Sequence, residues 1–127
     1  MKKEITGVLI DPELCIAERR TIEASAKSYS SLLRFSDVET VSCKIGGRRF
    51  DILCNSDAIS RRTGRPSARG RLRRPKLYGP LFVVKAVWET GPESLNDDDA
   101  DYILGHTRTI QAPFRKPSIT LCGVSLQ

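Results

Sequence analysis

Residues suited to catalysis or to metal binding are few in this chain of 127 residues. Its one histidine is His106, and its four cysteines, Cys15, Cys43, Cys54 and Cys122, form no Cys-x-x-Cys pair. A zinc site needs three or four closely spaced nitrogen or sulfur ligands, so this spacing argues against one. The common nucleophile-elbow, P-loop and dinucleotide-binding motifs are also absent from the sequence. We therefore expect a non-enzymatic protein that acts by binding, without catalytic residues, metal or cofactor.

Clustered arginines are the strongest chemical signal. The chain has 21 Lys and Arg against 15 Asp and Glu, a net charge of +6. Eight of these cations and no acid lie between residues 61 and 76, which leaves 13 cations against 15 acids elsewhere. Arginine suits this role because its guanidinium pairs with phosphate and carboxylate groups. The candidate nucleic-acid or partner-binding residues are Arg61, Arg62, Arg65, Arg69, Arg71, Arg73, Arg74 and Lys76.

Three interpretations of this stretch stay open. An arm that contacts nucleic-acid phosphates is the one we favour, for DNA or RNA alike. The pieces Gly64-Arg65-Pro66 and Arg69-Gly70-Arg71 each resemble part of the AT-hook core that lies in the minor groove, although the core itself is not formed. The stretch could instead fit an acidic groove on a protein partner, or its charges could be satisfied by the chain's own acids.

A second candidate surface is acidic and would act as a DNA mimic. Most of its members crowd the start of a predicted helix, where the positive end of the helix dipole favours carboxylates. Successive helical residues point in different directions, so helix capping explains them better than a metal site does. The acids of this surface are Glu89, Glu93, Asp97, Asp98, Asp99 and Asp101.

The elements that must position these residues follow from hydrophobic periodicity. Strands are predicted over residues 5–10 and 14–22, joined by the turn at Asp11-Pro12, and a helix over residues 25–35. The apolar run over residues 81–88 predicts a central strand covered on both faces. Ser94 stands three residues before Asp97, which predicts a capping box at the start of a second helix that ends at Gly105.

The dipeptide Gly46-Gly47 predicts a two-residue hairpin turn, because both central positions of such a turn need a positive φ. The alternation of apolar residues then fixes the register and places Cys54 opposite Glu39. A disulfide between Cys54 and Cys43 is therefore not expected. The residues predicted to bury one face of the hairpin are Val41, Cys43, Phe50 and Ile52.

These elements predict an α+β fold: a small mixed or antiparallel sheet of four to five strands, with the Gly-Gly hairpin and two helices packed on it. We expect one domain over residues 1–110, interrupted by an irregular basic loop at about residues 56–79. Residues 111–127 are expected to form a C-terminal tail with one short strand at 119–122. The cysteines are expected to be small buried residues of strands.

Three segments in this order resemble a known family: residues 6–13, residues 51–55 with the arginine-bearing loop after them, and Tyr78-Gly79-Pro80 leading through a strand to Ser94-Leu95-Asn96-Asp97. Over roughly residues 5–104 the chain resembles domain-of-unknown-function family 3846, whose members occur in phages and conjugative elements. The family has no established activity, so the resemblance implies a genomic context rather than a chemistry.

Together these features predict a cytoplasmic phage or mobile-element protein with no membrane association. The leading hypothesis is a nucleic-acid-binding accessory protein that uses the arginine-rich loop. The alternative is an inhibitor of a host nucleic-acid-processing or defence enzyme, of the anti-restriction or anti-CRISPR kind. Such an inhibitor would present either the acidic surface as a DNA mimic or the basic loop as a wedge.

Overall fold

The computed structural model describes residues 3–58, 65–70, 76–86 and 91–126. Within these residues the chain forms ten strands and two helices, so the α+β class is confirmed. The elements in chain order are β1 (Glu4–Asp11), β2 (Ile16–Glu23), α1 (Ala26–Leu33), β3 (Val38–Ile45), β4 (Arg48–Asn55), β5 (Pro66–Arg69), β6 (Lys76–Tyr78), β7 (Leu81–Lys85), α2 (Asp97–Leu104), β8 (Thr107–Ala112), β9 (Arg115–Cys122) and β10 (Val124–Leu126).

The larger sheet has six strands in the order β10-β3-β4-β7-β1-β2, and all of its pairs are antiparallel. Strand β7 lies in its interior because four successive apolar side chains can be buried only where both faces are covered. The predicted central strand is confirmed over Leu81–Lys85, while residues 87 and 88 of that prediction lie outside the described residues.

The two faces of this sheet bury two separate hydrophobic clusters. Phe82 and Val84 point to one face, where they pack with Leu33 of α1. Leu81 and Val83 alternate with them along the strand and therefore point to the other face, where they pack in the same cluster as α2 residues. Helix α1 therefore covers one side of the sheet, and α2 shares the other side with a second sheet.

The second sheet has four strands in the order β6-β5-β9-β8. Strands β5 and β9 run parallel, whereas the two outer pairs are antiparallel. Three apolar residues of this sheet, Ala68, Leu77 and Leu121, are fully buried in the larger hydrophobic cluster. This packing places the second sheet against the α2 side of the first one.

This second sheet corrects three predictions. A single sheet of four to five strands is wrong, since the described residues form ten strands in two sheets. The irregular loop at 56–79 is wrong where β5 and β6 form, and the tail at 111–127 is instead strand β9 with its neighbours. The physical reason is that β5 and β6 have only four and three residues, so their local preference is weak. They form because β6 pairs with β5, and β5 pairs with the distant strand β9.

Several local predictions are confirmed. Strands β1 and β2 pair antiparallel through the turn after Asp11, and α1 begins after Ser25, whose side chain accepts a hydrogen bond from the Ser28 amide at 3.2 Å. In the β3–β4 hairpin Cys43 stands opposite Phe50 and Cys54 opposite Glu39, as the alternation predicted.

The predicted cap of the second helix is wrong by two residues. Asn96 caps α2, because its side-chain oxygen accepts from the Asp99 amide at 2.8 Å. Ser94 accepts instead from the Thr6 amide at 2.9 Å and is thereby held against β1. Gly105 ends the helix as predicted. No helix among the described residues is long and apolar enough to cross a membrane.

Candidate nucleic-acid interface

Positive charge is concentrated on the four-stranded sheet. Its described strands, together with the residue before β5, carry six cations and no acid, whereas the acids of the chain all lie before residue 102. Because no carboxylate of its own strands offsets these cations, the sheet presents a uniformly positive surface. The six cations are Arg65, Arg69, Lys76, Arg108, Arg115 and Lys116.

Three of these residues belong to the predicted arginine-rich stretch. Arg65 and Arg69 stand just before and at the end of β5, and Lys76 begins β6. The structure brings them together with Arg108, Arg115 and Lys116, which the sequence reasoning missed. A sequence signal for them exists: the chain after Asp101 contains these three cations and no acid. The other predicted residues, Arg61, Arg62, Arg71, Arg73 and Arg74, lie outside the described residues.

Strand register places part of this set on one face. Thr120 pairs with Arg108 across β8 and β9, and Cys122, two residues further on, pairs with Arg69 of β5. Paired residues project to the same side of a sheet, so Arg69, Arg108 and Thr120 share a face. The opposite face holds the next pair, Ala68 and Leu121, which are buried in the core.

A groove of about 220 Å³ opens between β5 and β9. Arg65 donates from Nη1 to the Lys116 carbonyl at 2.7 Å, a contact that holds its guanidinium beside β9. A guanidinium has five N–H donors, so this side chain can make further hydrogen bonds beside the one to Lys116. The residues that line the groove are Arg65, Pro66, Arg69, Ile110, Arg115 and Thr120.

The Thr120 side chain is an unusual part of this lining. The residue is only 1% exposed, and its Oγ1 has no hydrogen-bond partner among the described residues. A buried hydroxyl without a partner costs about 1–3 kcal/mol, so most proteins avoid one. The groove therefore contains a buried polar group that the folded chain does not satisfy.

The turn between β8 and β9 carries an exposed aromatic side chain. Phe114 has a relative exposure of 107% and a φ of 66°, in the left-handed region that favours glycine or asparagine. Its neighbour in the chain, Arg115, lines the groove. An aromatic ring and guanidinium groups on one surface are the combination that single-stranded nucleic acids bind, through stacking and phosphate contacts.

The predicted acidic surface lies at the start of α2 and is partly neutralised. Arg19 is 2.8 Å from Asp97, and Arg48 is 3.1 Å from Asp98 and 3.4 Å from Asp99. Both arginines belong to the six-stranded sheet, not to the arginine-rich stretch. Asp101 is a more distant partner of Arg19, at 3.9 Å.

The structure describes one of the two glutamates predicted for this surface. Glu93 pairs through its backbone with Lys85 at the end of β7. Glu89 lies outside the described residues. The four aspartates of this surface lie in the first two turns of α2.

A larger groove, of about 440 Å³, lies between β2 and α1 and contains two arginines whose charges are already paired. Arg20 is 2.6 Å from Glu18, and Arg34 is 2.9 Å from the buried carboxylate of Asp11. A groove whose cations are neutralised in this way attracts an anion less than the β5–β9 groove does.

The thiol and imidazole groups show no catalytic arrangement among the described residues. Burial, with smaller contributions from nearby acids, raises the pKa of the Cys43 and Cys54 thiols to about 12, so they stay protonated and weakly nucleophilic. The expectation that all four cysteines are buried is wrong for Cys15 and Cys122, which lie in a turn and at a strand end. His106 bonds the Tyr102 carbonyl at 2.8 Å through Nδ1.

No group of three or more His, Cys, Asp and Glu side chains is placed to hold a metal ion in the described parts of the chain.

Comparison of the chain with models of known protein families, with curated proteins and with solved structures finds no match. The functional argument therefore depends on the residues themselves.

Proposed function

We propose that the protein binds nucleic acid through its four-stranded sheet, as a non-enzymatic accessory protein of a phage or mobile element that acts in the cytoplasm. The observation that carries this proposal is the segregation of charge, with six cations and no acid on the described strands of one sheet and the residue before β5. The biological setting comes from the sequence resemblance alone, since no family model matches the chain.

The chemistry of the cations favours phosphate as the partner. Four of the six are arginines, and a guanidinium can donate two parallel hydrogen bonds to one phosphate group. A surface with several such groups also gains free energy from the counterions that it releases from a nucleic acid. The sheet holds these side chains at fixed spacings along and across its strands, so that neighbouring phosphates can be contacted together.

The second candidate function is inhibition of a host defence enzyme by the acidic turns of α2. The observation in its favour is the exposure of these carboxylates, whose side chains are 90% exposed in Asp97 and 82% in Asp98. Against it, Arg19 and Arg48 already pair with the cluster, which reduces its four negative charges to a net of two. The basic sheet therefore has the stronger uncompensated field.

The proposal predicts the effect of removing four cations from the basic sheet. The variant R69Q/R108Q/R115Q/K116Q should lose most affinity for a labelled duplex, and its log–log salt slope should fall by about 3–4 units if all four side chains contact phosphates. The melting temperature should change little, since exposed charges typically contribute only ~0–1 kcal/mol each. Titration by fluorescence anisotropy at several salt concentrations, with thermal unfolding of the same sample, measures both quantities.

A control variant separates a specific surface from net charge. K3Q/K27Q/K44Q/R49Q removes the same number of charges from exposed positions outside the four-stranded sheet, so it should keep nearly the whole salt slope. An equal loss in both variants would contradict an interface on this sheet. Binding to protein partners without any binding to nucleic acid would favour the inhibitor instead.

A further inference from the structure

We propose that the β5–β9 groove is a phosphate site for single-stranded nucleic acid, in which the Thr120 hydroxyl and the arginines hold one phosphate while Phe114 stacks on a base. This inference rests on the proposed function and assigns the strandedness of the ligand and the residues that recognise it. It depends on four properties of the groove: its donors, its unpartnered hydroxyl, its size and the adjacent aromatic side chain.

The donors of the groove define the ligand as an anion rich in acceptors. Arg65, Arg69 and Arg115 have only N–H donors in their side chains, and Thr120 adds a hydroxyl that can also donate. Oxygen atoms of a phosphate can accept from several donors at once, and a negative charge strengthens each of these hydrogen bonds. The side chains that line the groove include no carboxylate that would compete for them.

Thr120 is the feature that distinguishes a built site from a general positive surface. Thr120 lines the groove, and its buried hydroxyl has no hydrogen-bond partner among the described residues. Valine has nearly the same shape and would fill this position without an unsatisfied polar atom. A phosphate oxygen in the groove would supply the missing partner, which gives the hydroxyl a role in the bound state.

The size of the groove limits what enters it. At about 220 Å³ it is smaller than the roughly 300–1,000 Å³ that enclose a whole small-molecule ligand. A phosphate with part of its sugar fits this space, and the attached base has to lie outside it. Phe114 directly precedes the groove residue Arg115 in the chain, and its exposed ring can receive that base.

The exposed ring selects a single strand over a duplex. In a duplex both faces of each base are already stacked, so an aromatic side chain at a hairpin tip has no free base face to contact. In a single strand successive bases can leave the stack and rest on aromatic rings. Neither core packing nor backbone preference accounts for a fully exposed phenylalanine at a φ of 66°.

The test measures binding of oligo(dT), oligo(U) and a duplex of equal length by fluorescence anisotropy. We expect T120V to weaken binding to both single strands by about 10-fold, the effect of one lost charge-assisted hydrogen bond. The same substitution should raise the melting temperature, because it removes the unpartnered hydroxyl. T120S keeps the hydroxyl and should retain most of the affinity, even if the loss of the threonine methyl group lowers the stability of the protein. T109V, the same change at an exposed position of β8, should leave affinity unchanged.

The aromatic contact is tested in the same assay. F114A should weaken binding to the single strands by about 10-fold and leave the duplex almost unaffected, since base stacking is lost only where bases are free. L14A removes another exposed apolar side chain, in the β1–β2 turn, and should have no effect on either ligand. The wild-type preference between oligo(dT) and oligo(U) reports whether the 2′-hydroxyl contributes.

The outcomes distinguish this inference from the function on which it rests. If T120V and F114A bind single strands as the wild type does while R69Q/R108Q/R115Q/K116Q loses binding, the groove assignment is wrong and the nucleic-acid function stands. Equal losses for duplex and single strand in F114A would overturn the stacking contact. If the wild-type protein binds no nucleic acid at all, both proposals are overturned.

Discussion

At the scale of single residues, burial determines which reactive groups can act. Cys43 and Cys54 lie on paired strands in the hydrophobic core, and burial raises the pKa of each thiol to about 12. Asp51 and Glu39 make smaller contributions to these raised pKa values, since a nearby negative charge disfavours a thiolate. The two thiols are therefore structural groups of the core.

These raised pKa values predict a loss of stability in alkali. An unfolded thiol ionises near its ordinary pKa of 9.0, whereas the buried thiols stay protonated up to about pH 12. Above pH 9 the folded state therefore binds more protons, and the free energy of unfolding should fall by about 1.4 kcal/mol per pH unit for each thiol. Urea unfolding at pH 8, 9 and 10 measures this slope.

The variant C43A/C54A should flatten that dependence, although its stability at pH 8 will be lower. The matched variant C15A/C122A removes the two partly exposed thiols and should keep the slope of the wild type. A slope that survives in C43A/C54A would show that other groups dominate the alkaline transition.

At the scale of elements, the β3–β4 turn links the hairpin to α2. Gly46 and Gly47 both have positive φ, as a two-residue hairpin turn requires. A β-carbon at Gly46 would also collide with the Tyr102 hydroxyl and the His106 ring, whereas nothing lies within 4 Å of one at Gly47. The Tyr102 hydroxyl donates to the Gly46 carbonyl at 2.8 Å, so this turn positions the C-terminal end of α2.

The two glycines are therefore not equivalent to substitution. G47A should cost about 1 kcal/mol, the backbone penalty of a positive φ alone. G46A adds a steric clash and the loss of the Tyr102 hydrogen bond, and should cost about 1–3 kcal/mol more. Urea unfolding of both variants measures the difference, and equal costs would contradict the packing of α2 against this turn.

Local pattern was enough to predict the elements whose residues meet nearby in the chain. The β3–β4 register followed from Gly46-Gly47 and the alternation around it, and α1 from apolar spacing. The prediction of the α2 cap failed because the Ser94 hydroxyl accepts a hydrogen bond from the Thr6 amide of β1. These two residues lie far apart in the sequence, so no local pattern indicates the contact. The second sheet was not predicted for the same reason, since β5 pairs with β9 about 50 residues away in the chain.

The candidate site was likewise predictable only where its residues form a local pattern in the sequence. Arg65 and Arg69 belong to a charge cluster that is visible in the sequence. Arg115 belongs to the acid-free segment after Asp101, but that signal does not say which strand it lies beside. Thr120 has no sequence signal of its own and joins the site only when β9 pairs with β5. Phe114 became a candidate only through its exposure, because a phenylalanine is more often a core residue.

At the scale of the whole molecule, the two sheets differ in their share of the core and in their charge. The six-stranded sheet holds most of the core and carries the arginines that neutralise the acidic start of α2, Arg19 and Arg48. The four-stranded sheet packs on it through a few apolar residues and presents cations without acids. Charge segregation of this kind orients an incoming polyanion before any contact is made.

Ultraviolet cross-linking to a photoreactive oligothymidine, followed by peptide mapping, tests the central claim most directly, because it reports which sheet touches the nucleic acid. Cross-links should fall in β8, β9 and the turn between them, above all at Phe114, and in β5. They should be absent from α1 and β2, which lie on the other side of the molecule or at the far edge of the six-stranded sheet. Cross-links concentrated in α1 or β2, with none in the four-stranded sheet, would contradict the account.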